Sequence, residues 1–416
     1  MTLKYVNETL TFDNIDIQEL GQTIQTPYYL YSENKINKNI EEYTNVLKNT
    51  DSLICYSVKA NSNLSILSLF AKKELGFDIV SAGELHRVIK AGGDTSKVVF
   101  SGVGKTDEEI QFALKNNIYC FNVESQGELS RIDAIASSLG VRANISLRVN
   151  PEIDAKTHPY ITTGLAENKF GISQDDVLNV FKMISTFKSL NICGIDYHIG
   201  SQIVDLKPFT DSAKKVLLLI DELKKENINL SHVDLGGGLG ISYNDESPIE
   251  RGDYVQSVLE VFKGTNLKVI FEPGRSIIGD AGILVTRVIE KKNNKNGKKF
   301  IIVDAGMNDL IRPPLYNAFH KITSVTRNNT STDLSDIVGP VCETADFFGK
   351  DRRISADIGD LLVIEDAGAY GFVLSSNYNS RPRVAEYLIS NKNVRCIRGS
   401  EKFSDILGDE EDYLGK

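Results

Sequence analysis

An amine, an imidazole, a glycine run, a carboxylate and a guanidinium each stand where an apolar stretch of this sequence gives out. The amine is Lys59. Residues 52–58 are largely apolar, β-branched or aromatic, and Lys59 follows at once. Asn61-Ser62-Asn63 then supplies turn and N-cap chemistry ahead of an apolar-periodic run at 64–69. A lysine held at the exit of a buried strand and shielded from water can lose its proton and act as a Schiff-base nucleophile. Alone, it reads better as a solvated charge on a loop. The imidazole is His198, in Tyr197-His198-Ile199-Gly200-Ser201-Gln202; alone, it reads as a satisfied core histidine. Gly236-Gly237-Gly238-Leu239-Gly240 has no side chains to block approach, so its amides can cradle an anion. It departs from G-x-G-x-x-G, and by itself it is a tight turn. Glu272-Pro273-Gly274-Arg275 carries the carboxylate and the guanidinium, and Asp78 lies in another strand-like run ahead of Ser81-Ala82-Gly83-Glu84. Val103-Gly104-Lys105-Thr106 looks like the end of a phosphate-binding loop, but Val99 replaces the leading glycine, which removes it from consideration.

Taken as a set, these are the parts that hold pyridoxal 5'-phosphate. The aldehyde condenses with Lys59, and the phosphate lies on the glycine amides near Ser201 and Arg275. His198 stacks on one ring face, and Glu272 keeps the pyridine nitrogen protonated so that the ring accepts electrons.

Such a set has to be gathered by a fold that brings several strand ends to one mouth. Strand-like runs occur at 53–58, 77–80, 98–101, 119–123, 145–149, 192–198, 232–235 and 269–272. Helical patterns lie between most of them, for example at 107–114 and 125–139. Eight strands alternating with helices over this length predict a (β/α)8 TIM-type barrel, whose functional residues sit at the carboxyl ends of its strands. An open, doubly wound sheet is the alternative, because periodicity alone does not show closure. Ahead of this region lie a short helix at 15–20, a strand at 27–31 and a helix at 34–48 capped by Ser32. Past residue 280 the pattern alternates at 282–290, turns at Asn296-Gly297 and alternates back at 300–303, a hairpin signature. Further strands are predicted at 322–326, 361–365 and 394–398, and the acidic residues 409–412 read as a frayed, solvated tail. The expected α/β chain has a cofactor-binding barrel at 28–278. A mostly antiparallel β domain, built from 1–27 and 279–416, contributes substrate-binding residues.

Composition agrees with two domains: 416 residues are too many for one ordinary domain, and 41% hydrophobic with 25% charged residues suits a large globular core. A net charge of -9 and a pI near 5.3 argue against nucleic-acid and anionic-membrane partners. No run is long enough to span a bilayer, and the amino terminus has no apolar signal-like stretch. Cys55, Cys120, Cys193 and Cys396 sit in apolar runs and read as small core hydrophobes. Cys342 sits in a loop-like Gly339-Pro340-Val341-Cys342-Glu343-Thr344. Without C-x-x-C or zinc-like spacing, neither disulfides nor a metal is expected, and a reducing cytoplasm is.

Beyond these residues, the chain resembles the diaminopimelate decarboxylase family of pyridoxal-phosphate enzymes, which have an alanine-racemase-like barrel. The resemblance runs through nearly the whole chain. It is carried by Tyr56-Ser57-Val58-Lys59-Ala60-Asn61, Gly76-Phe77-Asp78-Ile79-Val80-Ser81, Arg148-Val149-Asn150-Pro151, Thr157-His158, Lys169-Phe170-Gly171-Ile172, the segment from His198 to Gln202, the glycine run and the segment from Glu272 to Arg275. It implies that Lys59 forms the Schiff base, that His198 stacks on the cofactor, and that Ser201, Gly238, Glu272, Pro273, Gly274 and Arg275 hold its phosphate and ring nitrogen. Arg312-Pro313-Pro314-Leu315-Tyr316 resembles the family's substrate-carboxylate segment, with Arg275 and Tyr316 alongside. Residues 339–346 resemble the loop in which a cysteine, here Cys342, donates the proton and the next glutamate, Glu343, holds the distal amino group. Tyr370, in Ala367-Gly368-Ala369-Tyr370-Gly371, would contact cofactor and substrate. The resemblance further implies a homodimer with shared active sites, Cys342 and Glu343 arriving from the partner. The implied reaction is decarboxylation of meso-2,6-diaminopimelate to L-lysine and carbon dioxide, the last step of lysine biosynthesis.

The physical reading of these segments agrees. Two arginines and a glutamate suit a substrate whose far end is a zwitterion, because arginine grips a carboxylate in a bidentate fork. Ornithine, with no distal carboxylate, would leave Arg312 facing a cation. A decarboxylase of ornithine, lysine or a carboxylated polyamine precursor is the nearest rival. A racemase of the same fold is disfavoured by Glu272, since the racemases that resemble this chain place an arginine at the ring nitrogen. A non-catalytic pyridoxal-phosphate binding protein resembles the barrel alone, without the second domain or Cys342-Glu343.

Overall fold

Eight short apolar runs pair in parallel and close on themselves. The computed structural model describes residues 3–151, 153, 170–327 and 333–415. Its barrel strands are Ser52–Ser57, Gly76–Ile79, Val98–Phe100, Cys120–Val123, Ala143–Arg148, Leu190–Asp196, His232–Asp234 and Lys268–Phe271. Closure is made where Lys268–Phe271 pairs with Ser52–Ser57, Val269 opposite Ser52, so the open-sheet alternative is excluded. The strands form because they are β-branched or aromatic and buried on both faces. Each of the first return helices starts from a cap placed just beyond a strand end. Asn63 accepts from Ser65 N, Ser81 from Glu84 N and Ser125 from Glu128 N, while Thr106 and Glu109 form a capping box. These caps fix the loops at the carboxyl ends of the strands, where Lys59, Asp78 and their neighbours lie.

The lower barrel is packed, not hollow. Cys55, Val99, Cys120 and Ile270 form one buried cluster. Gly194, on the Leu190–Asp196 strand, leaves room for the buried His232 ring: a Cβ there would fall 2.1 Å from His232 Nε2.

The chain divides into two compact units, Glu41–Ile241 with Ser247–Ser276, and Met1–Ile40 with Ser242–Glu246 and Ile277–Lys416. The second unit is built on the long strand Gly282–Asn293, which pairs antiparallel with Tyr28–Ser32, Leu361–Ile364 and Lys299–Val303. Its core includes Phe12, Tyr28, Leu30, Val285, Leu361 and Val363. The predicted hairpin is present, and Gly297 at its turn has φ +86°.

Several elements differ from expectation. Tyr28–Ser32 lies in this second sheet, also pairing with Ala385–Ser390, where the sequence reading starts the barrel at residue 28. All five of its residues are buried, so no alternation marks the sheet to which it belongs. The helix expected at 15–20 is the strand Ile15–Asp16 followed by a helix, Ile17–Thr23, capped by Asp16. Leu3–Val6 and Thr9–Phe12 form an unforeseen hairpin whose turn, Asn7-Glu8, has both residues at positive φ without a glycine. The acidic tail is helical: Phe403–Glu411 forms a helix with no buried residue, begun where Asp405 accepts from Lys402 N. Cys55 and Cys120 are buried and Cys193 half-buried, but Cys396 is exposed; all five are free thiols. Among the described residues no helix is long and apolar enough to cross a membrane.

The Gly194 and His232 contact gives a direct test of barrel packing. Gly194→Ala should lower stability to urea by about 1–3 kcal/mol, as overpacking does. The loss should shrink when His232→Ala is combined with it. Equal losses in both backgrounds would show that the contact does not set the packing.

Candidate active site

The register of the barrel strands decides which side chains meet. Ser57 stands opposite Asp78 on the neighbouring strand, and the chain then turns through Val58–Ala60. Lys59 Nζ comes back to Asp78, 2.9 Å from Oδ2, and Ser57 Oγ donates to the same oxygen at 2.8 Å. Asp78 is fully buried, while 38% of the Lys59 side chain remains accessible. The amine is thus anchored at a buried carboxylate and still reachable. The other Asp78 oxygen, Oδ1, has no hydrogen-bond partner among the described residues.

Across the barrel, Arg148 stands opposite Asp196, and Asp196 opposite Asp234. Carboxylate oxygens of Asp196, Asp234 and Glu272 all lie within 4.8 Å of one another, and all three residues are buried. Asn122 Nδ2 is 3.4 Å from both Asp234 Oδ2 and Glu272 Oε1. Arg148 donates to Glu124 at 2.8 Å, and its Nε lies 3.8 Å from Asp196. Burial pushes the Glu272 carboxyl well above the ordinary carboxylate range, and the charges of Asp234, Asp78 and Asp196 add to it against Lys59. Burial and Asp234 push Asp196 the same way. Burial also raises Asp234, opposed by the Gly236 N–H that it accepts. Acids this close in a low dielectric titrate as a group and keep protons between them.

The glycine run is required by contact. Gly236 and Gly238 have φ of +63° and +108°. A Cβ on Gly237 would sit 2.3 Å from Glu272 O, and one on Gly238 2.5 Å from Gly200 O. The backbones of three loops therefore touch, and they bring their side chains to one place. Gly237 N donates to His198 Nδ1 at 3.2 Å, which places the proton of neutral imidazole on Nε2. Burial, then Arg148 and Lys59, hold the His198 pKa well below its usual value, so the ring is uncharged. Arg275 Nη2 donates to Ser201 Oγ at 2.9 Å. Pro273 O accepts from Ser57 N, and Gly274 passes so near Ala60 that a Cβ would be 2.9 Å from it. Lys59, His198, Ser201, Gly238, Glu272, Pro273, Gly274 and Arg275 are thus assembled within the barrel unit.

The remaining predicted residues lie in the second unit. Arg312, buried, begins the short helix Arg312–Tyr316, and its Nη1 is 2.9 Å from His320 Nε2. Tyr316 ends that helix, half-buried. Cys342 and Glu343 are exposed on a loop tied by Asp346, whose carboxylate accepts from Met307 N and Val341 N at 2.6 Å each. Cys342 N donates to Asn379 Oδ1 at 2.9 Å, and Tyr378 OH lies 3.4 Å from Glu343 Oε2. Tyr370 is half-buried at φ +55°, a left-handed conformation for a residue with a Cβ. Thr157, His158 and Lys169 of the quoted motifs lie outside the described residues.

Sequence reasoning gave no role to Asn122, Arg148, Asp196 or Asp234. Their signal was a polar residue in the last positions of an otherwise apolar strand, which a packed barrel tolerates only where it is partnered.

This donor set fits pyridoxal 5'-phosphate: an accessible amine held by one carboxylate, a backbone cradle that any Cβ would fill, an uncharged imidazole, and a buried carboxyl among acidic neighbours that a protonated ring nitrogen would relieve. Residues 33–279 match the family described as pyridoxal-dependent decarboxylase, pyridoxal binding domain. Over 402 residues the chain is 48% identical to diaminopimelate decarboxylase of Neisseria meningitidis serogroup A, covering 97% of this chain and 99% of that one. The chain belongs to the diaminopimelate decarboxylase family. Its fold agrees with a crystal structure of diaminopimelate decarboxylase from Helicobacter pylori complexed with L-lysine, at 47% identity and TM-score 0.92, covering 96% of this chain and 100% of that one. The M. jannaschii diaminopimelate decarboxylase in complex with L-lysine gives TM-score 0.93 at 37% identity, covering 98% and 97%. This chain is a pyridoxal-phosphate-dependent amino-acid decarboxylase.

The acid cluster predicts how stability depends on pH. An acid whose folded pKa lies above its unfolded value stabilises the fold at low pH, and that contribution is lost as pH rises through the folded pKa. Asp234→Asn keeps the acceptor for Gly236 N and removes one charge. It should unfold at higher denaturant than the parent, by about 1–3 kcal/mol near neutrality, with the gap closing toward pH 4. A gap independent of pH would show that charge is not the cause.

Proposed function

We infer that this chain decarboxylates meso-2,6-diaminopimelate to L-lysine and carbon dioxide, the last step of lysine biosynthesis. The observation that carries the reading is the 48% identity over nearly the full length of both chains, joined by relatives whose crystal structures hold L-lysine. When bound, pyridoxal phosphate supplies an electron sink for the pair left by the departing carboxylate.

The residues divide the work. Lys59 would carry the cofactor through its Nζ, and Asp78 Oδ2, 2.9 Å from that nitrogen, would hold it as the free ammonium. Gly238, Ser201, Gly274 and Arg275 bind phosphate, and Pro273 fixes that loop against Ser57. His198, kept neutral by its bond to Gly237, presents an uncharged ring to the cofactor face. Glu272 would face the ring nitrogen and keep it protonated, the pyridinium supplying the positive charge that lets this buried carboxyl ionise among its acidic neighbours. Arg312, with Arg275 and Tyr316, binds substrate carboxylate, and Tyr370 contacts cofactor and substrate. Glu343 pairs with the distal ammonium, and Cys342 Sγ returns a proton to carbon after carbon dioxide leaves. Exposure of Cys342 and Glu343 on one chain suits a homodimer in which each copy lends them to the other. A cytoplasmic enzyme with a small amino-acid substrate is the form this reading gives the protein.

Three measurements test it. Lys59→Ala should lose the visible absorbance of the bound cofactor and the borohydride-reducible adduct; a variant that keeps both sinks the role of Lys59. Glu343→Ala should lower diaminopimelate turnover about tenfold, as truncating one partner of a charge pair to a bound ligand does, with cofactor affinity little changed. Carbon dioxide release measured across diaminopimelate, ornithine and lysine should favour diaminopimelate, and a preference for ornithine would overturn the assignment.

A further inference from the structure

Arg312 is held by two rings. His320 Nδ1 lies 2.8 Å from Glu365 O. A carbonyl only accepts, so Nδ1 carries the proton. Nε2 then offers a lone pair, and Arg312 Nη1 donates to it at 2.9 Å. The imidazole is therefore a neutral relay between a backbone carbonyl and a guanidinium. A second proton on it would set two donors and two cations against each other in a residue with no exposed surface. The Arg312 guanidinium carbon also lies 4.7 Å from the centroid of the Tyr243 ring, within the range of a cation–π contact. The Tyr243 ring in turn meets the His320 ring edge to face, centroids 5.3 Å apart and planes at 76°. The three side chains thus close a triangle, each touching the other two and all at least nine-tenths buried.

The triangle stands on rigid backbone. Glu365 follows the strand Leu361–Ile364, which pairs with Ile322–Ser324, and Glu365 N donates to Lys321 O at 2.9 Å. His320 sits just ahead of that pairing, so its bond to Glu365 O extends the ladder by a side chain. A guanidinium with one N–H bonded to an imidazole and its central carbon over a phenol ring is constrained at two points. Neither contact brings an opposite charge.

We propose that His320 and Tyr243 are positioning residues for substrate specificity, orienting the Arg312 fork so that it meets a ligand carboxylate in a single geometry. This rests on the reading of Arg312 as the anchor of the substrate's distal carboxylate. That carboxylate survives the reaction as the carboxylate of L-lysine, whereas 1,5-diaminopentane is L-lysine without it. A pre-oriented arginine favours ligands that have the carboxylate and leaves the others unaffected.

The test uses the holoenzyme, with steady-state kinetics on meso-diaminopimelate and competitive inhibition by L-lysine and by 1,5-diaminopentane. His320→Leu should raise KM for diaminopimelate and Ki for L-lysine roughly tenfold, the equivalent of about 1.4 kcal/mol. Its kcat should stay within about twofold, and inhibition by 1,5-diaminopentane should not change. His320→Gln places an amide oxygen where Nε2 accepts and should recover most of the loss. Tyr243→Leu should show the same selective split to a smaller degree, and it decides the matter if His320→Leu does not fold. Equal weakening of L-lysine and 1,5-diaminopentane, or unchanged KM in both leucine variants while Arg312→Gln raises it, overturns the positioning role and leaves Arg312 as the anchor. If Arg312→Gln itself changes neither KM nor L-lysine inhibition, the anchor reading fails and the proposal with it.

Discussion

Everything at the barrel mouth depends on burying several carboxyl groups close together. Asp78, Asp196, Asp234 and Glu272 are all at least nine-tenths buried, and unit charges a few ångströms apart in such surroundings repel strongly. The cluster is stable only because cations and protons are shared within it. Lys59 sits on Asp78, Arg148 stands between Glu124 and Asp196, and Asn122 offers its amide to Asp234 and Glu272 together. The same repulsion raises the Glu272 carboxyl above its ordinary range, so a cation placed beside it would relieve the cluster and let that carboxyl ionise. A structural cost is thereby an affinity for a positively charged group.

Register turns that electrostatic condition into geometry. Parallel neighbours set Ser57 beside Asp78 and the row Arg148, Asp196, Asp234 side by side. Slippage of one strand by one residue would send these side chains to the opposite face of the sheet. The loops above are fixed as firmly, because Gly237 and Gly238 lie against Glu272 O and Gly200 O with no space for a Cβ. Strands choose the partners, and the glycines set the height at which His198, Ser201 and Arg275 meet.

Much of this was legible in the sequence because it is written in local patterns. All eight barrel strands are apolar runs, and each was placed within about three residues. The helix caps were legible where Asn63 or Ser32 precedes a periodic run, and the Asn296-Gly297 hairpin by its turn chemistry. Closure was not legible, since it is a pairing between residues 52 and 269 that no local pattern encodes. Nor was the sheet that takes Tyr28–Ser32, because a run buried on both faces has no sided pattern. The hairpin at Asn7-Glu8 hid behind residues that only tolerate positive φ. Of the site, Lys59, His198, the glycines and Glu272 stood out by residue type. Asn122 and Asp234 did not, because their meaning is a distance across the barrel.

Two buried arginines show how the two units handle the same charge differently. Arg148 is bonded to the carboxylate of Glu124 and lies near that of Asp196, and these charges raise its pKa against the burial that would lower it. Its charge is spent inside the protein, which makes it a structural cation. Two contacts that orient Arg312 come from an imidazole whose proton is fixed on Nδ1 and from a phenol ring. Those contacts constrain its direction without cancelling its charge. A cation oriented in this way discriminates by what it would leave desolvated: a ligand without a carboxylate loses the ion pair and keeps the burial. On the proposed role of Arg312, specificity for a zwitterionic far end would follow from how the arginine is held, and not from its presence alone.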